Sequence, residues 1–407
     1  MSRIVVVGGG AAGLELTTLL AAQFKKTGHH QVILVEPESH HYWKPRFHEV
    51  AAGSFDSELD AICYFSHSAK QGYQHLQARM TGLNRTQKQI ELHSTLDGTS
   101  QLLSYDLLVM ATGAISNDFG TQGVTEHCLF LDTPQQALQS QQQINTLLRS
   151  GGRRTVNIVG AGATGVELAA ELAEVSRSLT QHPHAAELSI NLIEAADRVL
   201  PHNPPAMSRK AEQRLLSYGI NVLTSTRISQ VDTDGMTTAT NRSLPAQLQF
   251  WAAGIKAPQW LTQLDGLATN RINQLQVKPT LQTTLDDAIF ALGDCAEIPQ
   301  PDGTMVPPKA QSANRAALHL AKTLPGFLRG EPLTEFIFKD AGMFVAMGHH
   351  YAISTTMNNR LILQGELMRT LYNTIFRLHQ KTVSGILTVL RLMITKQLKR
   401  VFMPGSM

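Results

Sequence analysis

Ile4-Val5-Val6-Val7-Gly8-Gly9-Gly10-Ala11-Ala12-Gly13, continued one helix later by Gln31-Val32-Ile33-Leu34-Val35-Glu36, is the stretch whose reading decides the fold. An apolar run, a glycine-rich turn, a helical stretch and a second apolar run closed by an acid read as strand, turn, helix, strand. In that setting each glycine has a task. Gly8 permits the tight turn, Gly10 lets backbone N–H groups approach a pyrophosphate, and Gly13 lets helix and strand pack closely. Glu36 then offers a carboxylate to both ribose hydroxyls, so the expected ligand is a dinucleotide.

The same unit returns as Thr155-Val156-Asn157-Ile158-Val159-Gly160-Ala161-Gly162-Ala163-Thr164-Gly165, followed by the helical spacing of Val166-Glu167-Leu168-Ala169-Ala170-Glu171-Leu172-Ala173. Glu194 closes the matching strand Leu188-Ser189-Ile190-Asn191-Leu192-Ile193, and the extra length before it falls in Gln181-His182-Pro183-His184, which reads as a surface loop. A carboxylate at Glu194 binds ribose hydroxyls and repels a 2′-phosphate, favouring NADH over NADPH, although Arg198 nearby works against that preference. Two fingerprints about 150 residues apart form an internal duplication. One chain then holds two nucleotides facing each other: FAD on the first unit and a nicotinamide on the second, a pairing that passes a hydride.

Residues 73 to 106 alternate short apolar runs with turns such as Leu96-Asp97-Gly98, the pattern of a small antiparallel excursion. They lead into Tyr105-Asp106-Leu107-Leu108-Val109-Met110-Ala111-Thr112-Gly113, whose small-residue end lets backbone approach a cofactor, and Phe250-Trp251-Ala252-Ala253-Gly254 repeats the design. Ala288-Ile289-Phe290-Ala291-Leu292-Gly293-Asp294 reads as a strand delivering Gly293 and Asp294 to the ribityl and phosphate part of FAD; the plain alternative is that Asp294 only caps the next turn. The loop Pro37-Glu38-Ser39-His40-His41-Tyr42-Trp43-Lys44-Pro45 is open to two readings, ligand contacts or a surface loop with a packed Trp.

At 407 residues the chain has room for two to three domains, and 43% hydrophobic content is ordinary for a globular protein. A net charge of +3 gives no reason to invoke nucleic acid. Cys63, Cys128 and Cys295 stand far apart without a CxxC, which argues against zinc, a redox-active pair or a disulfide framework. The N-terminal apolar run is broken by glycines and is no signal peptide, and no run of about 20 apolar residues predicts a spanning helix. The basic residues gather in 366–401: Arg369, Arg377, Lys381, Arg391, Lys396, Lys399 and Arg400 against the single acid Glu366. On a helical wheel Val383, Ile386, Leu387, Leu390, Ile394 and Val401 share a face, with Lys381, Arg391, Lys396 and Lys399 away from it. This predicts a helix lying in an anionic membrane interface; the plain alternative is a helix packed on its own domain.

With these blocks assembled, the chain resembles the two-dinucleotide-binding flavoproteins and is similar to type II NADH dehydrogenases, single-subunit NADH:quinone oxidoreductases. The resemblance is carried by Tyr42-Trp43-Lys44-Pro45, Phe47-His48-Glu49-Val50-Ala51, Ser116-Asn117-Asp118-Phe119, Gly165-Val166-Glu167-Leu168, Trp251-Ala252-Ala253-Gly254-Ile255-Lys256-Ala257-Pro258, Thr269-Asn270-Arg271-Ile272-Asn273-Gln274 and Val306-Pro307-Pro308-Lys309-Ala310-Gln311. It implies an α/β fold of two Rossmann-like domains in a glutathione-reductase-like architecture, plus a C-terminal membrane-associating helical segment. The expected division is 1–115 and 266–340 for the two parts of the FAD domain, 116–265 for the NADH domain and 341–407 for the membrane-associating region.

The resemblance further implies that FAD is held by Gly8, Gly10, Gly13, Glu36, Lys44, Ala111, Gly113 and Asp294, and NADH by Gly160, Gly162, Gly165 and Glu194. Glu167 would lie near nicotinamide and flavin, and Ala310 and Gln311 would line the quinone site, with Lys309 beside them. Gln311 can offer its amide to a quinone carbonyl; its plain alternative is an exposed helix-start glutamine, and Glu167 has one as a first-turn surface acid. The family's quinone motif usually reads AQxAxQ, whereas here it is Ala310-Gln311-Ser312-Ala313-Asn314-Arg315, with arginine in the sixth place. The implied enzyme is peripheral, on the cytoplasmic face of the inner membrane, pumps no protons and is compatible with a homodimer. A sulfide:quinone oxidoreductase shares the design but needs redox cysteines; an NADH-sensing flavoprotein acting through a partner is the other rival.

Overall fold

The valine run falls in β1 (Ser2–Val7), its last four residues fully enclosed, and Gly10 opens α1 (Ala11–Phe24). The computed structural model describes residues 2–25, 28, 30–179, 185–356 and 361–402, apart from the side chains of 398–402. The expected surface loop at 181–184 and the side chains of Lys399, Arg400 and Val401 therefore lie outside the described residues. β2 (His30–Val35) follows α1, then the short α2 (Phe47–Ala52), β3 (Gln74–Leu76) and β4 (Leu107–Met110). The second unit supplies β5 (Arg153–Val159), α3 (Ala163–Leu179), β6 (Glu187–Ile193), β7 (Asn221–Leu223) and β8 (Leu248–Trp251). The chain then returns to the first sheet as β9 (Ile289–Ala291) and enters α4 (Ala310–Phe327).

Both sheets are parallel, and their strand orders match: β9-β4-β1-β2-β3 in the first and β8-β5-β6-β7 in the second. The order 4-1-2-3 is thus repeated as 8-5-6-7, so the duplication read from the glycines extends to whole domains. Parallel strands covered on both faces need unbroken apolar runs, which is why segments such as Ile4-Val5-Val6-Val7 recur here without alternation; each sheet sits in its own apolar core. Residues 78–104 form the expected antiparallel excursion of three strands.

The chain crosses between domains twice, and the two crossings pair with each other, Ile115–Ser116 against Ile255–Lys256. Lys256 Nζ reaches Asp118 Oδ1 at 2.7 Å, and Trp251 Nε1 donates to the Asn117 carbonyl at 2.8 Å. Two motifs separated by more than a hundred residues thereby form one clip. A three-stranded antiparallel sheet of Met343–Ala346, Ala352–Thr356 and Leu361–Gly365 follows. Then come α5 (Glu366–Ser384) and α6 (Ile386–Phe402), broken at Gly385, whose φ is +83°. The tail read as one helix is two, because the glycine between them takes a conformation that a continuing helix excludes. Among the described residues no helix is long and apolar enough to cross a membrane.

Candidate active site

The two glycine turns are copies at the level of single atoms. Gly8 has φ +104° and Gly160 +98°; a Cβ on either would strike backbone, of Ala111 in one case and Ala252 in the other. A Cβ on Gly13 or Gly165 would strike the carbonyl oxygen of Gly8 or Gly160. Gly10 and Gly162 differ: beyond their own neighbours along the chain, nothing lies within 4 Å of where their Cβ would stand. The outer glycines allow packing and the middle ones face open space, as a phosphate cradle requires.

The acids also match. Glu36 accepts from Gly9 N at 2.5 Å and Glu38 N at 3.1 Å; Glu194 accepts from Ala161 N at 2.7 Å and Ala196 N at 2.9 Å. Burial raises the pKa of Glu36 against the pull of those backbone N–H groups. Arg198, which sequence placed near Glu194, gives its guanidinium to the Pro201 carbonyl at 2.8 Å and to Asp197 at 3.2 Å.

Around the first cradle, Ala111 and Gly113 end β4 and Asp294 follows β9, all at the carboxyl ends of parallel strands where ligands bind. Asp294 Oδ1 and the Thr112 hydroxyl are enclosed without a protein partner, and buried polar groups left unpaired point to a ligand. Burial raises the Asp294 carboxyl, with Lys44 opposing; Lys44 itself bonds the Ala114 carbonyl at 2.8 Å and Asp132 at 3.2 Å. The open middle glycine, the strand-end acid and these unpaired groups fit FAD in the first cradle. The second offers the same cradle and acid to NADH. Thr112 was not singled out from sequence; its place inside Ala-Thr-Gly was the available signal.

Glu167 faces inward from α3, not outward as the plain alternative had it. It is 6% exposed, accepts from Ala346 N at 2.9 Å and has Oε2 3.4 Å from His48 Nδ1. Burial, opposed by the Ala346 N–H and reinforced by Glu49, pushes its carboxyl up to about 8. Around it stand His48, Glu49, Glu171 and Arg369, all buried. Arg369 reaches Glu49 at 2.8 Å and Glu171 at 3.8 Å, while Arg46 Nε donates to Glu49 at 2.5 Å. His48, Glu49 and Glu171 have the spacing of a cation site, but the Arg369 guanidinium already supplies the cation between the two acids. Burial works against the Glu49 charge, yet Arg46, His48 and Arg369 hold its carboxyl down at about 2. Sequence reading missed Glu171 and Arg369. Glu171 was visible as one turn beyond Glu167, whereas Arg369 was hidden among basic residues assigned to lipid.

The α4 N-terminus abuts the FAD cradle: a Cβ on Gly293 would lie 3.5 Å from Ala313 Cβ. Ala310 opens the helix, Gln311 Oε1 accepts from Ala341 N at 3.3 Å, and Lys309 Nζ pairs with Asp340 at 2.9 Å. Arg315, the residue that departs from the family pattern, is exposed. Tail residues fare differently from their helical-wheel assignment. Val383 is fully buried, and Lys396 and Arg377 both pair with buried Asp60. With Arg369, three of the basic residues assigned to a lipid surface neutralise acids of the chain itself. The apolar face survives, with Leu371, Ile375 and Leu378 on α5 and Ile386, Leu387, Leu390, Met393 and Ile394 on α6 all exposed. The three cysteines are free thiols, Cys128 and Cys295 buried.

The family model described as pyridine nucleotide-disulphide oxidoreductase matches residues 2–317. A type II NADH:quinone oxidoreductase of Haemophilus influenzae is 35% identical over 439 aligned positions, covering 99% of each chain. One of Staphylococcus aureus is 26% identical, covering 86% of this chain and 88% of the relative. In fold the chain is similar to NDH2 from Plasmodium falciparum in complex with NADH, with a TM-score of 0.85 at 19% identity over 99% and 98% of the two chains. It is also similar to the sulfide:quinone oxidoreductase of Aquifex aeolicus, at 0.79 and 16% over 99% and 96%. The chain belongs to the pyridine nucleotide-disulphide oxidoreductases, and within them to the type II NADH:quinone oxidoreductase family.

Proposed function

We propose that the chain oxidises NADH and reduces a membrane quinone by two electrons, with FAD as resident cofactor. The observation that carries this reading is the doubled glycine turn, with two open cradles each closed by an acid. Gly8, Gly10, Gly13, Glu36, Lys44, Ala111, Gly113 and Asp294 hold FAD, which when bound supplies hydride acceptance and electron-pair delivery. Gly160, Gly162 and Gly165 receive the NADH pyrophosphate and Glu194 its ribose. With Arg198 engaged by Pro201, a 2′-phosphate finds repulsion and no clamp.

The protein contributes position and charge. Glu167 holds a proton in a water-poor pocket at neutral pH, so that wall carries one negative charge fewer where NADH and flavin meet. Gln311 has its Oε1 engaged by Ala341 N, which turns Nε2 into the donor for a quinone carbonyl, while Ala310 leaves room for the ring. Lys309, tied to Asp340, fixes the start of α4. The exposed apolar side chains of α5 and α6 seat the protein on the cytoplasmic face of the inner membrane, from which the quinone is drawn; light scattering tests the homodimer.

The test is anaerobic addition of NADH to the purified protein, watching flavin absorbance near ~450 nm, followed by a soluble quinone. Bleaching and rapid recovery is the expected result. Bleaching without recovery would move the acceptor to a protein partner, and no bleaching would overturn the NADH assignment.

A further inference from the structure

Behind the quinone-motif helix lies a row of buried polar side chains that the reaction as described does not use. Glu15 on α1 is 1% exposed, His41 4% and His379 on α5 5%. His41 Nδ1 lies 2.9 Å from the Gly9 carbonyl oxygen, and its Nε2 lies 3.1 Å from His379 Nε2. His379 Nδ1 is 3.9 Å from Glu15 Oε2, which also accepts from Asn314 Nδ2. Asn314 stands one turn along α4 from Gln311, and Trp43 lays its ring on His379 with centroids 4.3 Å apart. The row runs from the glycine turn, through α5 and α1, to the quinone motif.

Counting protons fixes its state. A carbonyl oxygen only accepts, so His41 carries its proton on Nδ1. Burial and the neighbouring His379 push His41 down to about 3, so it is neutral and its Nε2 is a bare acceptor. His379 must therefore donate from Nε2. Its Nδ1 then faces a carboxylate oxygen, and neither Nδ1 nor Glu15 Oε1 has another partner in the protein. Two lone pairs facing each other in a buried site repel. A single proton between Nδ1 and Glu15 removes the conflict, whether held as imidazolium or as carboxylic acid. In either form the pair has no net charge.

We propose that Glu15 and His379 form a buried dyad sharing one proton, the positioning pair of the quinone wall, which holds α5 against α1 and sets how α4 presents Gln311. The inference rests on the assignment of quinone to Ala310 and Gln311. The informative variant is Glu15→Gln. Its amide oxygen accepts from Asn314 and its NH₂ donates to His379 Nδ1, so every contact survives without the shared proton. Glu15→Ala removes them all.

Glu15→Ala and His379→Ala are each expected to raise the quinone KM about tenfold while leaving kcat and the rate of bleaching by NADH within about twofold. The double variant should cost less than the sum of the two single ones, since both break the Glu15–His379 contact. Glu15→Gln should restore the KM. A Glu15→Gln protein as impaired as Glu15→Ala, or bleaching slowed as much as quinone reduction, would overturn the proposal. The resting protein gives an independent readout: ¹⁵N-histidine spectra should show His379 Nδ1 hydrogen-bonded in the wild type and bare in Glu15→Ala. A bare Nδ1 in the wild type sinks the dyad. A wild-type flavin that quinone fails to reoxidise sinks the functional assignment and leaves the dyad to be judged on the spectra.

Discussion

Gly10 and Gly13 are three residues apart and answer to different forces. Gly13→Ala puts a Cβ into the Gly8 carbonyl, so it should cost the fold about 1–3 kcal/mol, the usual toll of overpacking. Gly10→Ala meets nothing in the protein, so the melting temperature of the FAD-free chain should hold while FAD affinity falls about tenfold or more. Melting curves and FAD titration of both variants check this; equal loss of stability in the two would refute the cradle. Glu167 carries a pH signature. Its carboxyl lies at about 8 against an ordinary 4.5, so between those values the folded state keeps a proton that the unfolded chain has released. The stabilisation is complete below 4.5 and lost as pH rises through 8. Glu167→Gln should remove that slope, and its urea midpoint should gain on the wild type from about pH 5 to about pH 9; a constant difference would contradict it. The glycines and strand-end acids were legible because each task needs one residue type at one spacing. The surroundings of Glu167 were not, because Glu49 and Arg369 meet it only through the fold, 320 residues apart from each other.

α5 and α6 show why an amphipathic pattern alone misassigns charge. Asp60 accepts from Arg377 at 3.1 Å and Gln380 at 3.0 Å on α5, and it pairs with Lys396 on α6. Phe376 packs with Trp43 and Phe55, and Arg46 lies over the Phe55 ring. One buried carboxylate thus holds both helices across the Gly385 break. Asp60→Ala leaves two cations near low-polarity surroundings and should cost about 2 kcal/mol of docking. The effect should appear as faster protease cleavage near Gly385 with the two nucleotide domains intact; unchanged cleavage would show that apolar packing alone holds the pair. Sequence registered the basic residues but not their partner, since Asp60 sits in an unremarked stretch more than 300 residues earlier. The second sheet holds a similar surprise. Asn157, Asn191 and Asn221 pass side-chain hydrogen bonds across β5, β6 and β7 at 2.8 and 3.0 Å. This ladder appears only once the three strands are in register.

The molecule presents an exposed apolar face and buried candidate-site residues on the same helix. α5 turns Leu371, Ile375 and Leu378 outward and Arg369, Phe376 and His379 inward. Cutting the chain after Glu366 would therefore take away the Arg369 guanidinium shared by Glu49 and Glu171 together with the exposed apolar face, and a loss of membrane binding would report a damaged core. Point changes on the outer face separate the two. Leu387 and Ile394 on α6 are 79% and 61% exposed, and burying an exposed Leu or Ile in the interface gains roughly 1.5–3 kcal/mol apiece. Leu387→Asp with Ile394→Asp should thus weaken sedimentation with vesicles by more than about a hundredfold. Thermal stability should change little, because both side chains are mostly exposed. The headgroup contribution should be modest, since Arg369, Arg377 and Lys396 are engaged inside the protein while Lys381 and Arg391 are exposed. With about 1 kcal/mol per basic residue near an anionic surface, raising the salt should reduce binding far less than the paired aspartates do. Binding abolished by salt yet indifferent to the aspartates would return the basic residues to the lipid surface and contradict their placement against Asp60 and Glu49.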